Sequence, residues 1–117
     1  MSVIRINKFE AKEGMASGLH DFLMLIVPLV EQSQGCMSCQ VLQNQENRNE
    51  FVVIEAWDSV GAHQASTKNI PPEKICVLMS NLANPPSGSY FGAFNVLGGV
   101  SRENSSQVTN NSADSTI

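Results

Sequence analysis

Three side chains able to hold or move a proton fall close together in the middle of the chain: Glu55, Trp57 and His63. Glu55 stands in the run FVVIEAW, from Phe51 to Trp57. A carboxylate among apolar neighbours must be paired, exposed or raised in pKa, and the last of these makes it a candidate base. Pairing with Arg5 or Lys8 across a sheet is the alternative reading. His63 follows Trp57 by six residues, and its imidazole could act as a general base near neutral pH. Trp57 is either a structural wedge before a helix or a pocket wall offering one donor. Asn7, on an otherwise aliphatic strand, could donate its amide to a ligand oxygen, or it could simply bond backbone or water at a strand edge. The set therefore offers His63 or Glu55 as proton acceptor, with Asn7 and Trp57 to orient a ligand.

A second cluster, GCMSCQV from Gly35 to Val41, carries Cys36 and Cys39 at the C-x-x-C spacing of redox dithiols and half zinc sites. Side chains three apart on a regular strand point to opposite faces, so the two thiols neither pair nor share a metal unless the backbone is distorted. No second C-x-x-C or suitably spaced histidine completes a zinc site, and no metal site is expected. The segment reads as a helix-to-strand joint, with Cys39, Met37 and Val41 facing an apolar layer. Three cysteines, an odd number, fit reduced thiols better than a disulfide framework. Cys76 reads as a small buried apolar residue, and His20 as a solvated or helix-capped one.

These groups must be held by regular elements. Ser2 to Phe9 alternates, with Ile4 and Ile6 on one face and Val3, Arg5, Asn7 and Phe9 on the other, as a strand requires. Glu13 to Gln34 places Met15, Leu19, Phe22, Leu23, Ile26, Val27 and Val30 at three- and four-residue steps, a long amphipathic helix closed by Gly35 and interrupted by Pro28, which should kink or restart it. Met37 to Asn44 and Glu50 to Trp57 are strands joined by the polar loop NQENRN. Asp58 or Ser59 caps a short helix to about Lys68, and Pro71 and Pro72 open another to about Leu82. After NPPSGS, the stretch YFGAFNVL reads as a fourth strand, in which Gly92 hints at a bulge or close backbone approach. Phe22, Leu23, Ile26, Phe91 and Phe94 are expected in the core, with Phe22, Ile26 and Phe94 also forming the apolar wall of a substrate pocket.

The order β-α-β-β-α-β is a ferredoxin-like α+β arrangement, one antiparallel sheet with helices on one face. The strand FVVIEAW is apolar on both faces, so the sheet's open side needs a cover, and a homodimer packing two sheets face to face supplies it. The domain covers residues 1–97. From Gly98 onward Ser, Asn and Thr dominate, and residues 98–117 read as a disordered polar tail.

Composition narrows the partners. With 117 residues, a net charge of −4 and pI near 5.0, one domain without a basic face is expected, which disfavours nucleic acid. The longest apolar run, Phe22 to Val30, is too short to span a bilayer and contains Pro28. The N-terminus has no apolar stretch behind a basic start, so a cytoplasmic protein is expected.

Two segments carry a resemblance. LIVPLVEQSQGCMSCQVLQN and NEFVVIEAWDSVGAHQAS are similar to the long helix, Gly-Cys joint and Trp-Glu/Asp-Ser strand end of the antibiotic biosynthesis monooxygenase superfamily, whose members are dimeric α+β barrels. The resemblance implies oxidation of a small aromatic or quinol-like substrate by dioxygen, without metal, flavin or other cofactor. A haem-degrading branch needs a histidine ligand on the following helix and a second tryptophan. Residues 69–97 contain no histidine, and Trp57 is the only tryptophan. Family members often place a histidine nine residues after the tryptophan, where this chain has Ser66. His63 stands one helical turn earlier. The competing reading is a non-catalytic dimeric barrel that binds a small apolar molecule.

Overall fold

The structure, a computed structural model, describes residues 2–94; the expected tail over 98–117 lies outside the described residues. The elements run β1 (Val3–Glu10), α1 (Ala16–Glu31), β2 (Cys36–Gln43), β3 (Glu50–Trp57), α2 (Val60–Ser66), a 3-10 turn (Thr67–Asn69), α3 (Pro72–Ser80) and β4 (Ser87–Phe91). The four strands form one antiparallel sheet in the order β2-β3-β1-β4. This is the ferredoxin-like α+β arrangement that the order of elements predicts. Among the described residues no helix is long and apolar enough to cross a membrane.

Helix α1 buries Leu19, Phe22 and Leu23 at three- and four-residue steps, against Phe51 and Val53 of β3. It starts at Ala16 rather than Glu13 because the preceding residues close a turn, in which Met15 N–H donates to the Lys12 carbonyl at 2.9 Å. Pro28 does not restart it: one helix runs through to Glu31, and Gln32 N–H still reaches the Pro28 carbonyl at 3.1 Å. Gly35 then turns the chain at φ +90°, and a Cβ there would lie 2.6 Å from Ala62 Cβ. Glycine is thus required twice over, by backbone and by packing. Strand β3 points Phe51, Val53, Glu55 and Trp57 under the helices, with Phe51 and Trp57 fully buried. Val52, Ile54 and Ala56, with Ile4 and Ile6 of β1, lie on the opposite face, which no helix covers among the described residues.

Two sequence expectations change. β4 is Ser87–Phe91, not the apolar run from Tyr90 onward, because its partners are set by β1: Lys8 pairs with Ser87 and Ile4 with Phe91. β1 begins at Val3, so the ladder has almost run out at Phe91. Phe91 is consequently half exposed, and Phe94 is fully exposed. Neither belongs to the core, and residues 95–97 lie outside the described residues. β2 also departs from regular alternation, with a bulge between Cys36 and Ser38 that sets Cys36 opposite Trp57 and Cys39 opposite Glu55. Trp57 and Glu55 share a face, so the bulge turns both cysteines toward the same side and leaves Met37 61% exposed, correcting the expected opposite faces.

Candidate functional site

Between the sheet and α1 and α3 lies a cavity of about 320 Å³. Its floor is Arg5, Asn7, Val53 and Glu55 from the strands, and its apolar wall includes Phe22 and Ile26 from α1 and Ile75 and Leu78 from α3. Trp57 and His63 close one end. Asn7, Glu55, Trp57, His63, Phe22 and Ile26 therefore meet at one space. Phe94 does not line it, because the chain has left the sheet before that residue. His20 is also remote: it is exposed, with Nδ1 3.1 Å from Asp21 Oδ1.

Each polar side chain arrives from a defined element. β1 and β3 pair with Arg5 opposite Glu55 and Asn7 opposite Val53, and alternation aims Arg5, Asn7 and Glu55 at the same face. His63 rides on α2, whose N-cap Ser59 accepts from Ala62 N–H at 3.1 Å. Tyr90 comes from β4, opposite Arg5.

The resulting network is continuous. Arg5 Nε donates to Asn7 Oδ1 at 3.0 Å, which fixes the amide so that Asn7 Nδ2 donates to Glu55 Oε2 at 3.3 Å. Trp57 Nε1 donates to Glu55 Oε1 at 2.8 Å. His63 Nδ1 lies 2.6 Å from the Tyr90 hydroxyl, and its Nε2 lies 4.0 Å from Glu55 Oε1. The imidazole stands edge-on between two rings, 5.4 Å from the Trp57 centroid and 5.3 Å from that of Tyr90. The Arg5 guanidinium lies over the Tyr90 ring, 4.6 Å from its centroid. Among the described residues no ion pair joins Glu55 to Arg5 or Lys8. Arg5 is engaged by Asn7 and Tyr90, and Lys8 stands opposite Val52 on the other face.

Burial pushes the Glu55 carboxyl above its ordinary range, and the Trp57 bond and the Arg5 charge only partly oppose this. Burial, aided by Arg5, holds His63 below the ordinary imidazole value. The proton affinities of acid and base thus converge, a pattern suited to proton exchange with a ligand. Cys39, which also lines the cavity, is pushed up to about 12 by burial first and the Glu55 charge second. It stays a protonated thiol and a poor nucleophile. Among the described residues no group of three or more His, Cys, Asp or Glu side chains is placed to hold a metal ion.

Tyr90 and Gly88 are the site residues that sequence reasoning passed over, while Arg5 is read from the sequence only as a pairing partner of Glu55. Gly88 pairs with Asn7, and a Cβ there would collide with Asn7 Oδ1 and the Arg5 guanidinium. Gly88→Ala should therefore disturb the site more than the fold. The atoms it meets are side-chain ends that can move aside, at the lower end of the ~1–3 kcal/mol typical of overpacking. Their movement releases Glu55 from Asn7, a charge-assisted bond whose loss should lower ligand-dependent activity ~10-fold or more. Urea unfolding and turnover measured on one preparation separate the two effects.

With this geometry in hand, the comparisons are informative. The family model for antibiotic biosynthesis monooxygenases matches residues 2–71, which spans β1 through α2 and holds Arg5, Asn7, Glu55, Trp57 and His63. The chain belongs to that family. Among solved structures it is similar to Rv0793 from Mycobacterium tuberculosis, at 17% identity and a TM-score of 0.71, covering 84% of this chain and 100% of the other. It is also similar to SnoaB, a cofactor-independent oxygenase from Streptomyces nogalater, at 16% identity and a TM-score of 0.70, covering 82% and 96%. A conserved protein from Methanosarcina mazei Go1 follows at 15% identity and a TM-score of 0.69, covering 78% and 91%. At such identities the likeness is one of fold. A sequence search of curated proteins returns no match.

At Ser66, where the resemblance implies a histidine, the Oγ donates to the His63 carbonyl at 2.6 Å. The bond ties down the last turn of α2.

Proposed function

We propose that the protein is a cofactor-independent monooxygenase that oxidises a small aromatic, quinol-like substrate with dioxygen inside this cavity. The observation that carries the reading is Glu55: a buried carboxylate raised in pKa, oriented by Trp57 and Asn7, and open to a cavity whose helical walls carry Phe22, Ile26, Ile75 and Leu78. SnoaB, similar in fold, is described as a cofactor-independent oxygenase. In this reading Glu55 accepts the phenolic proton, and the electron-rich ring carbon passes electrons to dioxygen and bonds one of its atoms. Loss of the other oxygen as water leaves a carbonyl. Asn7 and Trp57 orient the substrate, Phe22 and Ile26 hold its ring, and the apolar wall keeps water out.

We also assign a homodimer through the bare sheet face, where Ile4, Ile6, Val52 and Ile54 align with Leu42 and Phe91, which are 41% and 50% exposed. An apolar surface of this extent calls for a cover. Sedimentation equilibrium should give twice the 12.7 kDa chain mass; a monomer at micromolar concentration contradicts the assignment.

The competing reading, a barrel that binds a small apolar molecule without turnover, rests on Ser66 in place of a histidine. Oxygen uptake by the purified protein over a panel of quinols and anthrone-like phenols, with no metal or flavin added, decides between them. Uptake that depends on both protein and phenol supports the enzyme, and binding without uptake supports the alternative.

A further inference from the structure

The reaction just proposed gives no role to the Tyr90 hydroxyl, 2.6 Å from His63 Nδ1, nor to His63 itself. A neutral imidazole carries its proton on one nitrogen only, and the partner of one nitrogen decides what the other offers. If Nδ1 carried the proton and donated to Tyr90, the Nε2 lone pair would face Glu55 Oε1 at 4.0 Å, acceptor against acceptor. If Tyr90 donates to Nδ1, Nε2 bears the proton and faces that carboxylate as a donor. Glu55 already accepts from Trp57 and Asn7, which marks it as the acceptor of the pair. Arg5, stacked on Tyr90 and bonded to Asn7, holds the tyrosine in line and places a positive charge beside the imidazole, which adds to burial in holding its pKa below the ordinary value.

We propose that Tyr90 is a positioning residue that fixes His63 as its Nε2–H tautomer, making His63 and Glu55 a donor–acceptor seat for one hydroxyl group. The 4.0 Å gap is too long for a direct hydrogen bond, but a single oxygen can sit at ~2.8 Å from both atoms. That oxygen must donate to Glu55 and accept from His63. A hydroxyl does both, whereas an ether or ketone oxygen presents only lone pairs to the carboxylate. This specificity refines the proposed function and rests on it in one respect, that the cavity takes an aromatic ligand. It also divides the two candidate bases: Glu55 accepts the proton, and His63 donates a hydrogen bond to the same oxygen.

The test uses the full chain with nitrogen-15-labelled histidine, kept free of dioxygen, so that turnover plays no part. Long-range proton–nitrogen correlation above the imidazole pKa should show the His63 proton on Nε2. In Tyr90→Phe, which keeps the ring under Arg5, the ratio of Nε2–H to Nδ1–H forms should fall ~2- to 10-fold, as expected for one neutral hydrogen bond lost. His20, exposed and distant, serves as the internal control. A proton on Nδ1 in the wild type overturns the assignment without reference to any variant, and an unchanged ratio in a folded Tyr90→Phe protein overturns the role of Tyr90.

The seat is tested in the same samples with 2-naphthol and its methyl ether. Two fused rings suit the cavity, since benzene occupies one of ~150 Å³. The naphthol should shift the His63 Nε2 signal at least ~10-fold lower in concentration than the ether, because a seat built for a hydroxyl is left unpaired by the ether. Equal responses, or none to either ligand, overturn the hydroxyl seat. Oxygen uptake is absent from both arms, so a failure here and a failure of the monooxygenase reading are separately visible.

Discussion

Replacing Glu55 with glutamine should lower substrate-dependent oxygen uptake ~10²- to 10⁴-fold, the contribution typical of a positioned proton acceptor. The amide cannot take the phenolic proton, and its NH2 group would face the Asn7 Nδ2 donor that now serves Oε2. In the wild type the acid limb of the rate profile should lie above the ordinary carboxyl value of 4.5, because burial raises Glu55 and only its ionised form acts as base. Stability carries the same signature. The folded protein holds the Glu55 proton at pH values where the unfolded chain has released it, so stability from this group is full below 4.5 and is lost as pH rises through the folded value. His63 works in the opposite direction: its lowered pKa means that stability present above 6.5 is lost as pH falls through the folded value. Thermal melts of wild type and Glu55→Gln across this range isolate the first effect, since only the fall with rising pH disappears in the variant. A variant that keeps wild-type uptake would remove Glu55 from the chemistry.

Trp57→Ala should cost ~3–5 kcal/mol, the range for deleting a large buried aromatic. Trp57 is 0% exposed and, with Phe51 and Leu19, is among the largest fully buried side chains. Against a total of ~5–15 kcal/mol for a domain of this kind, such a loss leaves the protein close to unfolding. Part of the cost is electrostatic, because Glu55 Oε1 loses its donor in a buried place. Trp57→Phe separates the two contributions. It keeps an aromatic ring in the core, with a smaller cavity than alanine leaves, and removes the indole N–H, which now holds the Glu55 pKa down. Its urea midpoint should lie between those of wild type and Trp57→Ala, and the acid limb of its rate profile should move to higher pH. Trp57→Phe with an unshifted limb would mean that the indole is only a wedge.

Much of this fold is legible in the sequence wherever pattern and turn chemistry agree. β3 falls at Glu50–Trp57 as alternation places it, because one face is buried and a slip by one residue would expose Phe51 and Trp57. The helix stripe of Leu19, Phe22 and Leu23 is equally plain. What escapes is decided across strands. β4 is a serine- and glycine-rich segment held by its ladder to β1, so hydrophobicity points a few residues too far along, to the run that includes Phe94. The bulge beside Met37 puts Cys36 and Cys39 on one side, and no local signal distinguishes it from regular alternation.

The candidate site follows the same division. Asn7, Glu55, Trp57 and His63 are chemically conspicuous and close in the chain or in period-two register, so residue type and spacing find them. Arg5 shares the Asn7 face and is placed there by alternation; its role is not, because the choice between pairing Glu55 and stacking on Tyr90 is made by β4. Tyr90 and Gly88 become site residues only through the register that sets them opposite Arg5 and Asn7.

In the proposed reaction this cavity joins an oxygen atom of dioxygen to an aromatic ring using the chain's own residues. The most direct measurement is turnover of a responsive quinol or anthrone-like phenol under heavy-isotope dioxygen, by purified protein with no metal or flavin added, followed by mass spectrometry of the product. A cofactor-independent monooxygenase should leave one labelled oxygen per product molecule, retained in ordinary water and lost together with uptake in Glu55→Gln. Product carrying only solvent oxygen, or labelled product formed equally by Glu55→Gln, would contradict it.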